Sequence, residues 1–129
     1  MMKEEALLAV QEYRNDLNTC DVIKINAWVS DEFLGYFGYY SDVDFIVYTG
    51  EEYREDNIET FSNYVNQEAY WEYYDFTSSL RSQNELINSS KVDFYLKGKK
   101  VASVLAMEVF KKEQDGWKLY RQHMERYAE

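Results

Sequence analysis

The chain has 129 residues, 46% of them apolar and 18% aromatic, with thirteen tyrosines and no proline; this suits one domain, residues 1–129, around one buried core. Its net charge of −10, with lysines clustered only at Lys99–Lys100 and Lys111–Lys112, argues against nucleic acid and anionic membranes as partners, because both are bound through basic faces. The single cysteine, Cys20, has no internal disulfide partner, and the charged start Met1–Glu5 lacks the apolar run of a leader, so a cytoplasmic location is expected.

In chain order, residues 3–18 predict a helix, with Ala6, Val10, Tyr13 and Leu17 at i, i+4, i+7 and i+11 on one face. Asn18-Thr19-Cys20-Asp21 breaks it, and a short second helix is expected from Val22 to Val29. Phe33–Tyr40 is aromatic and β-prone, Ser41–Asp44 turns, and Phe45–Tyr48 completes a hairpin. Thr49-Gly50-Glu51-Glu52 has the form of a capping box, in which the first and fourth residues satisfy each other's backbone donors. It opens a third helix running to about Asn66, with Arg54, Ile58, Phe61 and Val65 as the expected inward stripe.

Three further strands and a return follow: Tyr70–Leu80, Leu86–Leu96, Val101–Glu113 and Trp117–Tyr127, separated by Ser82-Gln83-Asn84, Lys97-Gly98-Lys99 and Asp115-Gly116. Asp-Gly between apolar runs is a strong hairpin signal, because both central residues of a type I′ turn need positive φ. The order α-α-β-β-α-β-β-β-β, helix-rich and then strand-rich, is an α+β pattern. If both closing turns are two-residue loops at Gly98-Lys99 and Asp115-Gly116, then Phe94 faces Ser103, Val92 faces Leu105 and Glu108 faces His123. The strand Val101–Glu113 would then carry apolar side chains on both faces, so helices should cover one and a second subunit the other.

Two stretches resemble the nuclear transport factor 2-like superfamily, which includes SnoaL-like cyclases and ketosteroid isomerase. Val10-Gln11-Glu12-Tyr13 through Leu17-Asn18 and Asp21 looks like its opening helix and break. Asp115-Gly116-Trp117-Lys118-Leu119 followed by His123 looks like the SnoaL-like closing strand. The resemblance implies a cystatin-like cone, three N-terminal helices packed on a strongly bent, mainly antiparallel sheet of about six strands, and a homodimer through the sheet face. It also places Tyr13 where isomerase-like members carry an oxyanion-stabilising tyrosine and Glu108 near their acid. Phe37 falls where their Asp base belongs, so a proton acceptor would have to come from elsewhere.

Three functions stay open. The first is a small-molecule binder whose pocket, lined by aromatic residues such as Trp28, Phe37, Tyr48, Trp71 and Tyr73 with Arg121 nearby, takes a small apolar or aromatic ligand without a cofactor. The second is a cyclase, lyase or isomerase in which Glu108 orients His123 as a general base, aided by Tyr13. The third is a non-catalytic interaction module. Each site residue has a plainer alternative: Tyr13 and the other rings as core, Glu108–His123 as an outer-face ion pair. Neither a metal site nor a phosphate-cradling loop has the residue spacing it requires.

Overall fold

A computed structural model of the chain describes residues 2–40 and 43–128; the Ser41-Asp42 part of the expected hairpin turn lies outside them. The elements are α1 (Met2–Leu17), α2 (Val22–Asn26), β1 (Val29–Tyr39), β2 (Phe45–Thr49), α3 (Gly50–Tyr64), β3 (Tyr70–Ser82), β4 (Glu85–Leu96), β5 (Lys99–Glu113) and β6 (Gly116–Ala128). The strands form one sheet in the order β2-β1-β6-β5-β4-β3, with every neighbouring pair antiparallel except β1 and β6. The expected order of elements is the observed one, and three helices pack on a six-stranded mixed sheet.

The local signals explain the helices. Ala6, Val10, Tyr13 and Leu17 are all buried, as their spacing requires. Asp21 caps α2 by accepting from the Ile23 and Lys24 amides at 3.1 and 3.5 Å. The capping box of α3 is formed, with Glu52 accepting from the Thr49 amide at 2.9 Å and Thr49 from the Glu52 amide at 3.3 Å.

The inward stripe of α3 differs from the expected one. Ile58 and Val65 are more than half exposed, while Asn57 and Phe61 are buried and Tyr53 and Tyr64 pack against the core. Gly50 seats this helix: a Cβ there would stand 2.5 Å from the Ser30 carbonyl oxygen, so only glycine allows the first turn so close to β1. Arg54 instead spans the rim, donating to the Val29 carbonyl at 2.9 Å and to Asp31 at 3.0 Å.

The closing strands correct the expected pairing. The first reversal is Lys97-Gly98, with φ of 50° and 76°, between the paired residues Leu96 and Lys99. Val101 is then an extra residue, so Phe94 pairs with Ala102 and Val92 with Val104. The second loop is Gln114-Asp115, closed by Glu113 opposite Gly116, and Tyr120 is an extra residue between Leu119 and Arg121. Both the shifted loop and the bulge move the register, and a net slip of one residue exchanges the faces. Glu108 therefore pairs with Gln122, and His123 with Met107. Leu105 and Met107 fall on the outer face, away from Val92 and Phe94.

Candidate functional site

Between α1, α3 and the inner face of the sheet lies a cavity of about 310 Å³. That is at the small end of the ~300–1,000 Å³ usual for ligand sites. α1 contributes Tyr13 and Leu17, and α3 contributes Tyr53, Asn57, Phe61 and Tyr64. The strands contribute Phe37, Trp71, Tyr73, Val104, Gln122, Met124 and Arg126, and Asp56 stands at the wall with them.

The rings hold one another in fixed geometry. Trp71 stacks on Phe94 at 4.7 Å and meets Phe61 and Tyr64 at 5.6 and 5.8 Å. Tyr53 stacks on Phe33 and Phe37 at 4.7 and 5.5 Å. Such offset and edge contacts give more than area burial alone and leave rigid walls.

The polar end of the cavity is a cluster of buried groups. The Gln122 amide donates to Glu108 Oε2 at 2.7 Å, and both side chains are almost wholly buried. Glu108 Oε1 and Gln122 Oε1 have no hydrogen-bond partner. Burial pushes the Glu108 carboxyl above its ordinary range, and the Gln122 hydrogen bond and the Arg14 charge only partly oppose this. Tyr13 and Tyr73 are pushed well up, first by burial and also by the nearby Glu108 charge. Tyr53 is raised for the same reasons. The phenols thus stay neutral hydrogen-bonding groups.

Behind them Arg14 grips Asp75 with two bonds of 3.0 and 2.7 Å while lying 4.1 Å over the Tyr73 ring. Asn88 donates to Asp75 at 3.1 Å and is bonded in turn by Ser78.

Of the residues expected at a site, Tyr13, Phe37, Trp71 and Tyr73 line the cavity, and Glu108 lies under it against Gln122. Four do not. Tyr48 packs behind the wall, edge-on to Phe37 at 5.6 Å. Trp28 backs Tyr13 at 5.9 Å and donates to Asp16 at 2.8 Å, so its indole faces a separate surface groove. Arg121 donates to the Glu32 carbonyl at 2.7 Å and lies 3.9 Å over Tyr120. His123 stands on the outer face, 5.3 Å from Phe45 and 6.2 Å from Tyr36. The Glu108–His123 dyad is therefore not formed, because the sheet lies between the two side chains. Among the described residues, no group of three His, Cys, Asp or Glu side chains is placed to hold a metal ion.

Tyr53, Asn57 and Gln122 were not expected at the site. The i, i+4 spacing of Tyr53 and Asn57, continuing to Phe61, was available as a signal, since a polar tip on an inward face marks a group that needs a partner. Gln122 depends on the Tyr120 bulge and had no local signal.

No protein-family model matches the sequence, and no curated protein is significantly similar to it. Solved structures do match in shape. A nuclear transport factor 2-like protein of unknown function from Shewanella oneidensis is 9% identical with a TM-score of 0.76, over 97% of this chain and 99% of that one. A ketosteroid isomerase-like protein from Erwinia carotovora is 16% identical with a TM-score of 0.69, over 96% of this chain and 95% of that one. The chain has the nuclear transport factor 2-like fold. A domain of unknown function with a cystatin-like fold from Nostoc punctiforme, 14% identical with a TM-score of 0.72, agrees over 96% of this chain and 76% of that one. At these identities the likeness is one of fold, and this fold carries unrelated functions on the same frame. No helix among the described residues is long and apolar enough to cross a membrane.

Proposed function

We propose that the protein binds a small, largely apolar molecule in the cavity and does no chemistry on it. The observation that carries this reading is the lining: aromatic walls held by ring-on-ring contacts, with a few polar groups gathered at one end, the composition expected of a ligand site. The chemistry of the polar end supports binding over catalysis. Its carboxyl, Glu108, is fully buried and pushed towards the neutral form, and the imidazole that would have served as base is on the opposite face. The test is native mass spectrometry of protein purified from its own cells, alongside the variant Val104→Phe. A co-purifying small molecule is expected on the wild type and at least about tenfold less of it on Val104→Phe, whose added ring occupies the cavity. Equal loading of the two proteins would remove the cavity from the account.

We propose also that the outer face of the sheet seats a second copy of this chain. Tyr36, Phe45, Phe76 and Met107 are each 38–61% exposed there, and Phe76, Leu105, Met107 and His123 line one shallow depression. Glu125 lines this depression and Lys91, paired with Leu105 in the register and 3.5 Å from Asp93, stands beside it, so a two-fold-related copy can bring charges of opposite sign together. Sedimentation velocity should show a dimer for the wild type at micromolar concentration and a monomer for Met107→Glu; a wild-type monomer at high concentration would refute the pairing.

A further inference from the structure

Two of the three tryptophans, Trp28 and Trp117, line a second, open groove of about 370 Å³. It lies between the end of α1, the end of α2 and the start of β6. Trp28 meets the cavity residue Tyr13 edge-on at 5.9 Å, but the groove and the cavity share no lining residue. Both indole N–H groups are already committed. Trp28 donates to Asp16 Oδ2 at 2.8 Å and Trp117 to Glu5 Oε1 at 3.0 Å, and Glu5 is held in turn by Lys112 at 2.6 Å. These bonds pin the rings, so what each offers a guest is carbon surface and π-face rather than a donor. The recess beside them is open: a Cβ at Gly116 would meet nothing within 4 Å.

The rim has the opposite chemistry. Asp16 and Asp115 supply carboxylates, and Lys24 and Lys118 supply ammonium groups. Two charges of each sign leave the groove no net attraction for an ion, yet they set acceptors and donors around an apolar floor. Lys118 is anchored, donating to the Ala27 carbonyl at 2.7 Å and lying 3.3 Å from Asp115. Asp115 and Lys24 are exposed, and Asp16 is half-buried. A guest that suits this arrangement is uncharged, has apolar faces for the indoles, and carries hydroxyls at its edge. A pyranose sugar has that form, with C–H bonds on its faces and hydroxyls round its perimeter. An open-chain polyol lacks the face, and an organic cation meets the two lysines.

We propose that the groove binds neutral pyranose sugars, which lay a C–H face on the Trp28 and Trp117 rings and set their hydroxyls against Asp16, Asp115 and Lys24. The groove and the cavity are separate sites, so either can be empty while the other is filled.

The test follows the indole N–H signals of the intact protein by nitrogen-15 NMR, assigned with Trp28→Phe, Trp71→Phe and Trp117→Phe. Titration with cellobiose or lactose should move the Trp28 and Trp117 signals along a saturable curve. The signal of Trp71, which lines the cavity, should stay in place. Glycerol, with hydroxyls and no ring face, and choline, with a cation, should bind at least about tenfold more weakly than the better disaccharide. Trp117→Ala should weaken that disaccharide by about tenfold or more, as for loss of a central aromatic contact. Lys24→Met, at an exposed position where folding is not at stake, should weaken it by about threefold or more through the lost donor. No saturable shift with either disaccharide would overturn the proposal, as would choline binding as tightly as the sugars, which would make the groove a cation cage. Equal movement of all three indole signals, or affinity unchanged in both Trp117→Ala and Lys24→Met, would place the sugar elsewhere and overturn it too. The wild-type comparison decides the matter even if Trp117→Ala fails to fold.

Discussion

Phe110→Ala is expected to cost about 3–5 kcal/mol of folding free energy, the range for truncating a fully enclosed aromatic side chain. Phe110 is 0% exposed. It meets Tyr13 edge-on at 5.4 Å and belongs to the same buried cluster as Leu86 and Leu119, its partners on the two flanking strands. Those neighbours belong to three different elements, so they cannot close together on the void without moving α1 off the sheet. Urea unfolding should show a lower midpoint with an unchanged slope, as for a loss of stability without a change in the surface exposed, and the melting temperature should drop by about 10 °C or more. Phe110→Leu should cost much less, about 1 kcal/mol, because most of the volume is kept. A loss below about 1 kcal/mol for Phe110→Ala would mean that the ring is not packed between α1 and the sheet. The consequence reaches the cavity as well, because Tyr13 forms part of its wall and loses the ring that braces it.

How far these contacts could be read beforehand depends on the range over which each is decided. The stripe of α1 and the capping box of α3 are set by local spacing, and the structure has them where that spacing puts them. The faces of β5 and β6 were not readable in the same way. Asp115-Gly116 marks the reversal correctly, yet the loop is Gln114-Asp115 and the bulge at Tyr120 follows. Each shifts the pairing, and neither has a local signature strong enough to place it. The cost of that slip falls on function, because it moves His123 out of the site and puts Gln122 in. The α3 stripe holds at Phe61 and fails at Ile58 and Val65 for a different reason. Ile58 and Val65 satisfy a hydrophobic period, but tertiary context overrides it: the tyrosines at 53 and 64 and the amide at 57 occupy the inward face. Half-polar side chains with apolar bodies can line a cavity better than aliphatic ones when that cavity must accept a ligand with a polar group.

The second large effect concerns the support behind that polar end. Asp75→Ala leaves the Arg14 guanidinium, whose side chain is 10% exposed, without its bidentate partner. Removing one member of a buried pair typically costs ~3–5 kcal/mol. Asp75 itself is 46% exposed, so water screens part of the loss, and about 2 kcal/mol is expected at pH 7. The pH dependence has a definite sign. Arg14 holds the Asp75 carboxyl below its ordinary value, so the pair's contribution is present above the unfolded-state pKa of ~3.9 and fades as pH falls through the lower folded value. The gap between wild type and Asp75→Ala should therefore begin to narrow below about pH 3.9 and close only below the lower folded value. Glu108 acts in the opposite sense: its folded pKa is raised, so it lowers stability as pH rises above the unfolded value of ~4.3. Glu108→Gln should consequently narrow the loss of stability between acid and neutral pH that Asp75→Ala leaves in place. The double variant Arg14→Met with Asp75→Ala should recover part of the deficit of Asp75→Ala, because an apolar chain of similar length no longer carries a stranded charge over Tyr73. Urea midpoints of the variants at pH 3.5 and pH 7 decide it, and a deficit for Asp75→Ala that is the same at both values would show that the charge pair is not its source.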